Sequence, residues 1–394
     1  MRDPSPGIDP AAALGDWQQA QSGVGSGEWT HYNCTLATPM YGGGVRPGEV
    51  DEAMPIRAAG LRGQLRFWWR LACGPFASSE AMFERESAIW GGIGSSGPAA
   101  SKVRVRVEAK PATSRLTTLN QIASFPSYVL ILDPGANPTL LAKGFSFSLG
   151  LRLDQKLAEA QRAEVQTALR WWASFGGVGA RTRRGLGAVQ AKGLDPVTAE
   201  EVGARGGRLL LLGVAKDESQ AWKQSVNQLR LFRQGKEIGR NPGQTGSNRP
   251  GQSRWPEADT IRRLSGQHAS RHAPNPDHPS AFPRAAFGLP IIFQFKDPGE
   301  PKDHTLEPED GDRMASPLVL RPYWDGKGWR PAALLLPAWK TALGVPLKFK
   351  AQSYNPAPWP DESADRAALA AQIKPMDGRS DDPLTAFLAY FQEA

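Results

Sequence analysis

The feature that most constrains this fold is the order in which two hydrophobic periods alternate between residues 30 and 189. Thr30, Tyr32, Cys34 and Leu36 recur at every second position, the period of a strand with one buried face. Between residues 60 and 73 the apolar residues Leu61, Leu65, Trp68, Trp69 and Ala72 recur at helical spacing, and Gly74-Pro75 stops the run. Val103, Val105 and Val107 alternate with Lys102, Arg104 and Arg106, and Phe145, Phe147, Leu149, Leu151 and Leu153 alternate again. Asp154 is placed to cap a helix over 155–175, with Leu157, Val165, Leu169 and Trp172 on its apolar side, and a last strand follows the loop 176–189. Strand, helix, strand, strand, helix, strand is the split β-α-β plan of ferredoxin-like folds, used also by RNA-recognition domains. The handedness rule for crossovers folds it into one antiparallel sheet backed by two helices.

A chain of 394 residues has room for two such domains. We expect an α+β protein with two ferredoxin-like (RRM-like, βαββαβ) domains in tandem, over 28–205 and 206–394. Residues 1–27, rich in Gly, Pro, Ser, Ala and Gln, read as a disordered leader. In the second half, strands are predicted at 209–214, 287–295, 317–321 and 329–336, and helices at 218–232, 362–373 and 383–392. Residues 234–283 are polar and rich in Pro and Gly, and read as a mobile basic loop inserted in the second domain.

Charge narrows the function. Lys and Arg number 47 against 39 Asp and Glu, a net +8 that favours polyanionic partners, nucleic acid first. Arg62, Arg66 and Arg70 fall at i, i+4 and i+8 on one face of the predicted helix, with Arg57 just before it. No Asp or Glu occurs from 53 to 79 to neutralise them locally. The planar fork of Arg matches phosphate bidentately, so these side chains are candidate phosphate ligands. The loop GGVGARTRRGLGAV (176–189) is the second basic feature: Arg181, Arg183 and Arg184 sit among five glycines, with no acidic residue from 165 to 194. It lacks the Lys–Ser/Thr ending of a phosphate-binding P-loop and the spacing of a dinucleotide fingerprint, so no nucleotide cofactor is expected. Gly177 and Gly179, like Gly43 and Gly44 in the turn TPMYGGG, are candidates for letting backbone approach a ligand closely.

Other classes find little support. The two cysteines, Cys34 and Cys73, lack metal-ligand spacing and read as small hydrophobes of a reducing compartment. No apolar run is long enough to span a membrane, so a cytoplasmic protein without membrane partners is expected. His31 on the first strand is the candidate general base for a metal-independent endoribonuclease, but the sequence offers no acid to pair with it. His268, His272, His278 and Asp277 are interrupted by Pro and Asn, which removes helical metal-ligand geometry, so no metal is expected. Trp255 reads as an anchor of its loop rather than a base-stacking platform.

Arg57 with LRGQLRFWWR, together with GGVGARTRRGLG, resembles the RAMP proteins of CRISPR effector complexes, and more narrowly the first subunit of the Cmr module of type III-B systems. TPMYGGG, NRPGQSRWPEADTIRR (248–263), FGLPIIFQF and RMASPLVLRP agree with that pattern, so the likeness runs from Thr30 to Pro322. The resemblance implies a non-catalytic subunit that grips the 3′ region of the guide (CRISPR) RNA and helps capture single-stranded target RNA. Its protein partners would be other RAMP subunits of the Cmr complex, especially the one at the guide 3′ end. The expected RNA-binding residues are Arg57, Arg62, Arg66, Arg181, Arg183, Arg184, Arg254, Gly43, Gly44, Gly177 and Gly179. The alternatives are an endoribonuclease processing CRISPR transcripts, or a scaffold whose basic surface meets acidic neighbours.

Overall fold

A computed structural model describes residues 28–95, 97–130, 135–243 and 251–393. The expected leader, 1–27, lies outside the described residues. The first half forms β1 (Thr30–Leu36), α1 (Ala58–Ala72), α2 (Ser79–Trp90), β2 (Val103–Ala109), β3 (Ser146–Leu153), α3 (Glu159–Phe175) and β4 (Val189–Ala191). The strands join in the order β2-β3-β1-β4, with antiparallel neighbours throughout. This is the strand order of the split β-α-β plan. Cys34, Leu36, Phe147, Leu149 and Leu151 on the sheet's inner face pack with Leu61, Leu65, Trp68, Trp69, Val165, Leu169 and Trp172 of α1 and α3. Each of those residues was placed inward by its local period.

The start of α3 differs from expectation. Asp154 Oδ1 accepts from Lys156 N at 2.8 Å and closes a separate turn. The helix begins at Glu159, where Gln161 Oε1 accepts from Ala158 N at 3.1 Å. A further helix, α2, lies between α1 and β2, started by Ser78 Oγ accepting from Ala81 N.

The second half contains α4 (Ala199–Ala204), β5 (Arg208–Leu211), α5 (Glu218–Gln234), α6 (Glu257–Ser265), β6 (Ile291–Phe293), β7 (His304–Pro308), β8 (Leu318–Trp324), β9 (Trp329–Leu335), β10 (Leu347–Phe349), α7 (Ser363–Ala371) and α8 (Pro383–Gln392). Its strands do not form the single four-stranded sheet expected. They divide into β8-β9-β5 and β6-β7-β10, both antiparallel. The order β8-β9-β5 is that of the split β-α-β plan without its fourth strand. Alternate residues of β8 and β9 enter two cores. Val319, Tyr323, Ala332 and Leu334 pack with the first half, where Tyr323 stacks on Phe175 at 5.8 Å. Leu318, Leu320, Ala333 and Leu335 pack with Trp222, Leu229, Phe387 and Phe391 of α5 and α8. Burial on both faces explains why β8 reads as one apolar run rather than an alternation.

The reading of 234–283 as a mobile loop is corrected over its described part. Residues 251–283 hold α6, and Trp255 is fully buried against Phe232, ring centroids 5.3 Å apart. Polar composition misled because the polar groups satisfy one another. Arg262 lies 2.8 Å from Asp259 and 2.9 Å from Glu300, His278 2.8 Å from Asp259, and Arg284 3.0 Å from the buried Glu257. Among the described residues no helix is long and apolar enough to cross a membrane.

Candidate nucleic-acid interface

The two glycine-rich segments lie against each other. Ala180 N donates to Tyr41 O at 2.8 Å and Gly187 N to Pro39 O at 2.8 Å. The buried Thr38 hydroxyl donates to Gly185 O at 2.6 Å and accepts from Ala188 N at 2.9 Å. Their glycines serve this seam. A Cβ on Gly179, whose φ is +78°, would stand 2.6 Å from Met40 Cγ and from Tyr41 O. A Cβ on Gly177 would stand 2.6 Å from Gly187 O. Contacts that short force backbone to shift, so at these two positions loop packing within the chain already demands glycine. Arg57 closes the seam from outside, its Nη2 donating to Gly43 O at 2.5 Å and Gly44 O at 3.1 Å.

The ends of the 176–189 loop are held by a residue the sequence analysis did not single out. Arg321, on β8 and 2% exposed, donates from Nη1 to Gly176 O at 2.5 Å, from Nη2 to Val189 O at 2.9 Å and from Nε to Pro322 O at 2.9 Å. Burial pushes its guanidinium pKa down to about 9. The available signal was a lone charge inside the apolar run PLVLRPYW.

Of the three loop arginines, only one side chain points freely outward. Arg181 adopts the left-handed conformation at φ 59° and is exposed, its side chain with no hydrogen-bond or ion-pair partner among the described residues. Arg183 donates to Ser316 O and lies over the Phe67 ring at 5.7 Å. Burial lowers its pKa. Arg184 turns inward. Its carbonyl accepts from Trp222 Nε1 at 2.8 Å, and its Nη1 is shut off from solvent without a partner among the described residues. Burial, then the neighbouring Arg233, push its pKa down to about 10.

The arginine face of α1 is neutralised, contrary to the absence of local carboxylates. Arg66 Nε lies 2.6 Å from Glu86 Oε1, and Arg70 reaches both Glu86 oxygens at 2.8 Å. Glu86 is fully buried. Burial alone would raise its carboxyl pKa, but the bonds and charges of Arg70 and Arg66 hold it below the ordinary value. Arg62 donates to Trp90 O at the end of α2. The partners all lie on the next helix, beyond the acid-free window. Arg254 likewise folds back, to Asn241 Oδ1 at 2.7 Å and to the Glu237 carbonyl. The structure therefore brings together Arg57, Arg181, Arg183, Arg184 and the four glycines, and leaves Arg62, Arg66 and Arg254 in contacts elsewhere.

His31 is exposed, with Nδ1 3.2 Å from Ser148 Oγ. His272 pairs with Glu300 at 2.6 Å and His278 with Asp259 at 2.8 Å, while His268 Nδ1 lies 3.1 Å from the Ala269 carbonyl. Among the described residues no group of three or more His, Cys, Asp or Glu is placed to hold a metal ion.

Residues 33–190, which contain both glycine-rich segments and α1, match the family model described as the RAMP superfamily. No curated protein sequence matches the chain. Among solved structures, Cmr1 from Pyrococcus furiosus in its apo form is similar at 16% identity and TM-score 0.45, over 78% of this chain and 88% of that one. A chain of the type III-B Cmr-beta complex bound to cognate target RNA is similar at 9% identity and TM-score 0.41, over 79% of this chain and 94% of that one. A chain of a type IV-B CRISPR complex is similar at 16% identity and TM-score 0.32, over 43% of this chain and 93% of that one.

Proposed function

We propose, from the match of residues 33–190 to the RAMP superfamily model, that this chain is a non-catalytic, RNA-binding subunit of a type III-B CRISPR effector complex. It grips the 3′ region of the guide RNA, helps capture target RNA, and docks against another RAMP subunit in the cytoplasm. The observation that carries this reading is the double-loop seam. Two glycine-rich segments lie edge to edge, the second carries three arginines of which Arg181 is exposed, and no acidic residue occurs from 165 to 194. Such a surface attracts phosphates without reading bases, which suits a machine whose specificity comes from base pairing. Arg181 is the leading contact, Arg57 and Arg183 extend the positive surface along the seam, and Arg184 faces inward behind it. Arg62, Arg66 and Arg254 serve the fold in this reading.

The test is binding of single-stranded RNA to the full chain over a salt series. Arg181→Glu should weaken binding at every salt concentration. Arg181→Gln, which removes one phosphate contact, should flatten the slope of log affinity against log salt by about 0.7. Unchanged affinity and slope in both variants would remove the loop from the interface.

A further inference from the structure

Behind the seam the fold gathers four guanidinium groups that no single stretch of sequence announces. Arg184 arrives from the glycine-rich loop and Arg233 from the last turn of α5; Arg240 follows α5, and Arg284 lies in the turn Pro283–Phe287. Tyr128 lies among them, close enough to influence Arg184, Arg233 and Arg240. The one carboxylate facing this group among the described residues is Glu257, which Arg284 already engages at 3.0 Å. Arg233 lies over the Phe287 ring at 5.7 Å, and Arg240 donates to Gly251 O at 3.2 Å. Arg184 Nη1 and Arg233 Nε are shut off from water and have no hydrogen-bond partner among the described residues. Burial and mutual repulsion lower the pKa of Arg184, Arg233 and Arg240 alike.

Like charges held together in a half-buried place, with one carboxylate among four, are left uncompensated by the described residues. An anion with several acceptor oxygens removes the penalty, and phosphate fits the guanidinium fork. A cleft adjoins the cluster at Tyr128. Its volume is about 170 Å³, and its other walls include Phe125, Lys223, Asn227 and Arg230. Two more cations and two aromatic rings therefore stand at the approach to the cluster.

We propose that Arg184, Arg233, Arg240 and Tyr128 form a binding site for a phosphate monoester, entered past Phe125 and Tyr128. Nitrogens shut off from solvent cannot meet a strand running through, whereas a chain end can project inward. Three guanidinium groups with no carboxylate of their own among the described residues, Glu257 being engaged by Arg284, also favour a dianion over the single charge of a phosphodiester. The phosphate is either the terminal group of an RNA strand or a free phosphate. The first source rests on the RNA-binding reading above, whereas the second does not.

The experiment uses the full chain in two arms. In the first, thermal unfolding is followed in inorganic phosphate and in chloride at matched ionic strength. Phosphate should raise the midpoint by several degrees over chloride. Arg233→Gln should unfold at the same or a higher temperature than the parent in chloride, because a buried uncompensated charge is gone, and should lose the phosphate response. Equal midpoints of the parent in the two salts, or a full phosphate response in both Arg233→Gln and Arg184→Gln, would overturn the site. In the second arm, RNA of one sequence is compared with a 3′-phosphate, a 5′-phosphate or hydroxyl ends. A terminal phosphate should tighten binding about tenfold in the parent and not in Arg233→Gln. A phosphate response in the first arm with no preference among RNA ends upholds the site for free phosphate and overturns the RNA end as its source. The RNA-binding reading fails separately, if the parent binds none of the three RNAs.

Discussion

Replacing Glu86 by Gln tests whether the arginine face of α1 belongs to the fold or to a ligand. Glu86 is 1% exposed at its side chain and accepts three bonds, one from Arg66 at 2.6 Å and two from Arg70 at 2.8 Å. Glutamine keeps the shape but loses the charge and turns one acceptor into a donor facing a guanidinium. Breaking a fully buried ion pair costs about 3–5 kcal/mol. The Arg66 and Arg70 side chains retain 28% and 42% exposure, so both can turn partly to water. The cost is therefore discounted to about 2–3 kcal/mol. Guanidinium unfolding followed by tryptophan fluorescence would measure it, and a double-mutant cycle with Arg70→Met should return a coupling of more than about 1 kcal/mol. RNA affinity at a temperature where both proteins are folded should change less than about twofold, since no phosphate contact is lost. A destabilisation under about 0.5 kcal/mol would refute the assignment of these arginines to the fold. So would a gain in RNA affinity, because it would mean that the released Arg66 reaches phosphate.

Further expectations rest on separate contacts. Arg321→Met leaves the carbonyls of Gly176 and Val189 without their donor, and should cost about 3 kcal/mol while speeding amide exchange selectively over 176–189. Unchanged exchange there would show that Arg321 does not hold the loop. Gly179→Ala adds a Cβ 2.6 Å from Met40 Cγ and Tyr41 O at φ +78°, and should destabilise by about 2–4 kcal/mol and weaken RNA binding together. Glu86, Asp259 and Glu300 all have carboxyl pKa values below the ordinary range, because bonds to Arg and His partners outweigh the opposing effect of burial. A folded-state pKa below the unfolded one contributes stability above about pH 4, which is lost as pH falls through the folded values. Unfolding midpoints should therefore fall below about pH 4, and less steeply in Glu86→Gln than in the parent.

The first half of the fold was legible because its signals are local. A strand with one buried face repeats every two residues and a helix every 3.6, so α1, β1 and β3 could be read with their inward residues. The inserted region failed for the opposite reason. The side chains of Glu257, Asp259, Arg262 and His278 look solvated in sequence and find partners only in the fold, Asp259 with Arg262 and His278, Arg262 also with Glu300, and Glu257 with Arg284.

The sequence by itself determined the order of elements, the arginine-bearing helix with its Gly-Pro stop, and a glycine-rich loop free of acidic residues. Tertiary structure alone decided what those charges meet. Arg66 finds Glu86 on the neighbouring helix, Arg321 reaches back 145 residues to Gly176, and Arg184 turns away from solvent toward Arg233. The reason is physical: hydrophobic period depends on neighbours along the chain, whereas the energy of a charge depends on the distance and burial of whatever the fold sets beside it.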